Sequence, residues 1–320
     1  MLRALPEPNT SGGTAGFDSF MMQLPMQRSR AGGSVGDSAA AARRRTRNII
    51  AHEMSHGWVG GIAGRGNTQW YGEGANTYMT ARLLLTLGLA PVESYAEELT
   101  ALGRDYYPNP FRNVSADSAA TAFWSDKNGE RLPYVRGALY FFDVNARIRK
   151  ATGGRRSLDD LFLELWARRA RGERLTTETW VGAVARELGP AAAAEFDSVV
   201  VRGVKTVELQ PDALGPCFTR GSVRAVVPDF TFDRRFLPKQ LVTSLVAGSA
   251  AERAGLRQGD EVVGPFDSGL LTSGSRAPVT LDVVREGRTL RISYTPDPLH
   301  VTTYEWSRAA GVPDDVCRRG

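Results

Sequence analysis

His52-Glu53-Met54-Ser55-His56 sets two imidazoles four residues apart, with a carboxylate beside the first. On an α-helix such residues share one face, one turn apart. Both rings then reach a single ion at about 2.0–2.1 Å, the usual Zn–N distance. Glu53 faces the same cleft, where its natural role is general base toward a zinc-activated water. The bland alternative is two ordinary histidines on a solvated helix. Against it, the chain has only 3 histidines, and two of them fall in this motif. Glu73, in Trp70-Tyr71-Gly72-Glu73-Gly74, follows a glycine-rich turn from Gly60 to Gly66. An antiparallel helix opening there brings its carboxylate back over the His pair. Two His and one Glu leave a fourth position open, the mark of a catalytic zinc site. The expected cofactor is therefore one Zn2+, held by His52, His56 and Glu73. Asn76 and Thr77 stand where an imidazole can be held from behind. Plain helix packing explains them equally well.

The elements that must position this set are mostly helical. Residues 1–35 are rich in Gly, Ser and Pro, with an apolar island at Phe17–Leu24 that reads as one strand. A helix is expected from Asp37 or Ser38 through Ile49 and Ile50 to Trp58, stopping at Gly60-Gly61. The second runs from near Gly72 to Gly88, and Pro91 opens a third. Residues 104–133, with Pro108, Pro110, Asn128 and Pro133, read as irregular. Helical patterns return at 134–151, 157–171 (capped by Ser157), 177–188 and 190–202. The helical domain thus spans 36–207, and 208–221 reads as a linker. Short alternating runs at 222–227, 241–246, 261–263, 279–284 and 289–294 then predict a small β-rich domain over 222–297. Residues 298–320 form a tail of ambiguous pattern.

Composition narrows the partners. The chain has 320 residues and a net charge of +5. Its one dense basic cluster, Arg43, Arg44, Arg45 and Arg47, lacks interleaved aromatics and matches no nucleic-acid module. A solvated helix face accounts for it, so no nucleic-acid partner is expected. No apolar run approaches the ~18 residues of a membrane span. Residues 1–20 show no signal pattern, so a soluble protein is expected: periplasmic or secreted if a leader precedes Met1, cytoplasmic otherwise. Cys217 and Cys317 fit either one disulfide or two free thiols.

The ordered series His52–His56, Trp58, Glu73-Gly74, Tyr78 and Pro133-Tyr134-Val135-Arg136-Gly137 resembles the glycyl aminopeptidase family of zinc metallopeptidases. The resemblance covers about residues 10–297. It implies a helical, thermolysin-like catalytic domain followed by a PDZ domain, acting on peptide or protein substrates. In the wider superfamily a Tyr in a Tyr-x-Lys/Arg-Gly motif stabilises the oxyanion, and Tyr134 stands at that place. Its phenol suits the task, donating to charge that develops in the transition state; packing at a helix start is the alternative. Gly12-Gly13-Thr14-Ala15-Gly16-Phe17-Asp18-Ser19 resembles the family's Gly-Gly-Leu-Glu-His segment and edge strand. Gly13, Ala15 and Asp18 are accordingly the expected substrate-binding positions, on a strand suited to β-augmentation. The family's Glu, which binds the substrate's amino group, is here Ala15, with Asp18 as the nearest acidic substitute. The family's N-terminal β domain is not expected within this sequence, either because the chain is a divergent short form or because its start lies upstream of Met1.

Residues 242–263 look like the core of a bacterial PDZ domain: a strand, a Gly-Ser turn, a short helix at Ala250–Ala254, then Gly255 and Gly259 as turn residues. Such a domain takes a C-terminal peptide, or merely packs against the enzyme. The expected fold is α+β and multidomain, with a zincin-like helical body and a small PDZ-like sheet. The expected function is zinc-dependent peptide hydrolysis of the aminopeptidase type. Its rivals are an endopeptidase and a catalytically impaired PDZ-bearing adaptor.

Overall fold

A computed structural model describes residues 2–5, 12–15, 20–25, 35–64, 67–233 and 239–319, and side chains from residue 42 onward. Three short strands come first: β1 (Leu2–Leu5), β2 (Gly12–Ala15) and β3 (Phe20–Pro25). They form a sheet of order β1-β3-β2, with β1 parallel and β2 antiparallel to β3. Ten helices and seven further strands follow among the described residues. The helical body comprises α1 (Val35–Val59), α2 (Gln69–Thr86), α3 (Val92–Tyr106), α4 (Ala116–Ala122), α5 (Lys127–Thr152), α6 (Leu158–Ala170), α7 (Thr177–Leu188) and α8 (Ala191–Phe196).

Local signals explain several boundaries. The α2 helix begins at Gln69, ahead of the expected Gly72, because Asn67 Oδ1 accepts from the Gln69 N–H at 2.9 Å. Ser157 caps α6 as expected, with Asp160 closing a capping box back onto the Ser157 N–H at 2.7 Å. The α8 helix continues as one π-turn, Asp197–Val201. Gly203 then takes φ +69° where a Cβ would collide with the Val114 carbonyl.

The segment expected to be irregular, 104–133, is largely helical. The α5 helix starts at Lys127 and passes through Pro133. Asp126 outweighs the local breakers, since its carboxylate accepts from the Asn128 and Gly129 N–H groups. Gly129 lets the helix start press against Ala122, where a Cβ would lie 2.6 Å away.

One aromatic core holds α2, α5, α6 and α7 together. Trp180, Tyr71, Tyr78, Phe141 and Phe142 are fully buried in it. Phe141 and Trp180 meet edge to face at 5.0 Å between centroids.

The C-terminal third divides differently from the sequence expectation. The strand near 222–227 is longer, β4 (Phe218–Val227), and it pairs antiparallel with β10 (Leu299–Arg308). Residues read as linker and tail thus form one ribbon that lies on α3. Val207 and Leu209 are buried in the helical core, and Tyr106 and Tyr107 hydroxyls bind the Val207 backbone at 3.1 Å each. The apolar residues of this stretch are too widely spaced to show a period, yet each finds the core. The last helix, α10 (Asp314–Arg319), returns to α2, and a disulfide joins Cys217 to Cys317. Of the two thiol readings, the paired one holds.

Between the ribbon strands lies a five-stranded antiparallel sheet: β5 (Thr231–Asp233), β6 (Gln240–Thr243), β7 (Glu261–Val263), β8 (Val279–Arg285) and β9 (Arg288–Tyr294). Helix α9 (Ala250–Arg253) covers its core of Phe230, Val242, Ala251, Leu256 and Val283. Buried Asp260 binds the Arg257 N–H at 2.9 Å and Arg285 at 2.6 and 2.7 Å, fixing the turn after Gly259.

Candidate metal centre

Helices α1 and α2 run antiparallel. Arg47, early on α1, reaches Leu89 O beyond the end of α2, while His56, late on α1, meets Asn76 near the start of α2. The sequence expectation for this pair holds, and it brings His52, His56 and Glu73 together. Glu73 Oε2 lies 3.2 Å from His52 Nε2 and 3.7 Å from His56 Nε2. All three ligand atoms lie within 4.8 Å of one another. A tetrahedral ion with bonds of about 2.0–2.1 Å needs donors roughly 3.4 Å apart. The two Glu73–imidazole separations bracket that value, as two edges of a tetrahedral site would.

The field at the site follows from burial and close charge. Burial pushes the Glu73 carboxyl up, but the His52 hydrogen bond and both imidazoles outweigh it, leaving Glu73 below the ordinary range. Burial lowers the basicity of His56, with Glu73 opposing. Burial also raises the Glu53 carboxyl, which is 8% exposed. Glu53 has no hydrogen-bond partner among the described residues, so it is free to take a proton.

Tyr134 arrives from α5. Its ring stacks on His52 at 6.0 Å between centroids, and burial together with the nearby Glu73 carboxylate raises its hydroxyl well above the ordinary tyrosine range. What places it there is a glycine pair. Gly74 and Gly137 face each other where α2 crosses α5, and a Cβ on Gly74 would lie 2.5 Å from Gly137 Cα. The crossing is close enough to carry Tyr134, one turn before Gly137, to Glu73, next to Gly74. Buried Arg136 anchors the same turn, donating to the carbonyls of Val114 at 2.6 Å, Arg112 at 3.0 Å and Val200 at 3.2 Å.

Of the two supporting candidates, Asn76 touches a ligand and Thr77 does not. Asn76 is fully buried, and its amide lies 2.7 Å from His56 Nδ1 while also meeting Gly72 O and Ser55 Oγ. Thr77 donates to Glu73 O of its own helix, at 2.8 Å. In the orientation described, Asn76 Nδ2 faces His56 Nδ1, which leaves the ring proton on Nε2. Ligation through Nε2 needs the proton on Nδ1 instead. A half-turn of the amide offers Oδ1 as its acceptor and turns Nδ2 toward Ser55 Oγ, which donates onward to His52 O at 2.8 Å, but it gives up the bond from Nδ2 to Gly72 O, so Gly72 must shift away from Oδ1 for His56 to ligate through Nε2. Glu98, on α3, was not a sequence candidate. It is half-buried and feels the His52 charge, and burial raises its carboxyl. Nothing in its local sequence marks it, because its burial depends on how α3 packs.

Gly13 and Ala15 lie on β2, an edge strand of the N-terminal sheet that contacts α1. Asp18 lies outside the described residues. No helix among the described residues is long and apolar enough to cross a membrane.

No family model matches the chain, and no curated protein does. Its fold is similar to that of an aminopeptidase N family protein from Idiomarina loihiensis, with a TM-score of 0.70 at 15% identity. The match covers 100% of this chain and 61% of that protein, so the chain spans about three-fifths of its neighbour's length. The chain therefore has an α+β fold of the kind seen in that neighbour.

Proposed function

We propose that the chain is a zinc-dependent peptidase of the aminopeptidase type, related to the glycyl aminopeptidases. The spacing of Glu73 Oε2 from His52 Nε2 and His56 Nε2, which matches two edges of a tetrahedral ion, carries this reading. Zinc held by these three residues would supply Lewis acidity to water and to the scissile carbonyl. Glu53, buried and without a hydrogen-bond partner among the described residues, takes the proton of the attacking water and passes it to the departing amine. Tyr134 donates its hydroxyl hydrogen bond to the carbonyl oxygen as negative charge gathers there. The outer edge of β2, unpaired among the described residues, accepts the peptide backbone beside Gly13 and Ala15.

The five-stranded sheet is assigned as the PDZ-like module. Its β6 is paired on both sides, by β5 and β7. A C-terminal peptide would therefore add at the outer edge of β5 or β9. The Cys217–Cys317 disulfide favours an oxidising compartment.

Purified protein should contain about one zinc per chain. The Glu53→Gln variant should keep the metal and lose turnover of short peptides. Protein that takes up no zinc removes the reading, and so does full activity in Glu53→Gln. Equal cleavage of free and N-acetylated peptides would replace the aminopeptidase assignment with an endopeptidase.

A further inference from the structure

Some nine residues beyond Glu73 on α2, about 13 Å along the helix, a cavity opens, remote from His52, His56 and Glu73. It measures about 300 Å³ and lies between α2, α5 and the C-terminal segment, with the Cys217–Cys317 disulfide in its wall. Arg82, Arg149 and Arg319 all line it, and no Asp or Glu does. Two of these guanidiniums have counter-charges outside the cavity. Arg82 pairs with Asp159 at 3.0 Å, and Arg319 with Asp315 at 2.9 Å. Arg149 is half-buried and has no carboxylate partner among the described residues. Asn145, also in the wall, uses Oδ1 to accept from the Leu158 N–H at 3.1 Å, while its Nδ2 has no partner among the described residues. The cavity therefore offers cations and a spare amide donor with no internal anion to meet them. A partly desolvated guanidinium without a counter-ion is unfavourable, and planar N–H forks suit carboxylate and phosphate oxygens.

We propose that this cavity is a binding site for a small oxyanion, phosphate or carboxylate, with Arg149 as its principal ligand. The volume suits a phosphate or a short carboxylate and is too small for a folded partner. Its wall includes α10 residues, which are fixed to the helical body by the disulfide and by Arg318 on Leu85 O at 3.1 Å. An anion held by Arg149 and Arg319 together would tie α5 to α10, adding a non-covalent brace beside the covalent one.

The test uses the full chain and two probes, inorganic phosphate and N-acetylalanine, titrated calorimetrically at constant ionic strength set with sodium chloride. One saturable site is expected for at least one probe, and the tighter probe identifies which oxyanion the site takes. Arg149→Ala should weaken binding at least ~10-fold. Arg149→Lys should recover part of it, which guards against an unfolded Ala variant. Arg171→Ala, an exposed control outside the cavity, should bind as wild type. Bound anion should also slow reduction of the disulfide by dithiothreitol in wild type and not in Arg149→Ala. No saturable binding of either probe, or equal binding by wild type and a folded Arg149→Ala, overturns the proposal.

Discussion

One substitution, placed in two helices, should act with opposite signs. Alanine is a better helix residue than glycine by about 1 kcal/mol. At Gly182, on the exposed face of α7, a new Cβ meets nothing within 4 Å. Gly182→Ala should therefore stabilise the protein by roughly 0.5–1 kcal/mol. At Gly137 the new Cβ would lie 2.8 Å from Gly74 Cα and closer still to the Trp70 carbonyl oxygen. Both obstacles are backbone atoms, so no rotamer change relieves them. Ordinary contact would require α2 and α5 to part by about 1 Å, an overpacking cost near the top of the usual range, about 3 kcal/mol. After the propensity gain, Gly137→Ala should be net destabilising by about 2 kcal/mol. The same shift separates Tyr134 from Glu73, and a 1 Å misplacement can cost on the order of 100-fold in turnover. Chemical denaturation of both variants, with peptidase assays on the folded protein, measures each effect. If Gly137→Ala matched wild type in stability and turnover, the helix crossing would not be what sets the site.

Asn76→Leu should leave His56 without its Nδ1 partner and weaken zinc binding about 10–100-fold, while Asn76→Asp, which keeps an acceptor there, should retain affinity; competition with a chelator reads both. The double substitution Cys217→Ser, Cys317→Ser opens a cross-link spanning 100 residues, and the lost chain restraint should lower stability by about 4–5 kcal/mol in denaturant melts. Arg136→Met should cost about 3 kcal/mol or more, since it strips the donor from three buried carbonyls at once, and its melting transition should show the loss.

The helix that carries His52 and His56 was legible because its signal is local: a four-residue spacing and a near absence of histidine elsewhere. Glu73 was legible as well, since a glycine-rich turn leaves a following helix little choice but to double back. Other features depended on partners far away in sequence. Asn128, Gly129 and Pro133 all argue locally against a helix, yet α5 forms through them because Asp126 caps its start and Ala122 fits against Gly129. Gly74 and Gly137 read alone as weak spots in helical patterns; only the crossing reveals their use. The ribbon of β4 and β10 joins residues about eighty positions apart; the run at 222–227 read as a strand, but nothing local names its partner in the C-terminal tail.

The position of α5 along its own axis links the sheet to the site. Gly137, Arg136 and the aromatic core fix the middle of the helix against its neighbours. A second fixed point lies at its N-terminus. The Asp126 carboxylate caps α5 and also accepts from the Ser244 N–H at 2.8 Å and the Ser244 hydroxyl at 2.7 Å. Asn128, in the first turn, donates to Ser244 Oγ at 2.8 Å and Thr231 Oγ1 at 3.1 Å. Ser244 takes φ +49°, a conformation uncommon outside glycine, while making these bonds. Asp126 and Ser244 are 3% and 5% exposed, so every one of these polar groups would be costly to leave unmade. The five-stranded sheet thus holds the start of the helix whose second turn delivers Tyr134 to Glu73. On this geometry the sheet is part of the apparatus that orients the site, and a perturbation of the loop at Ser244 reaches Tyr134 through eight residues of continuous helix.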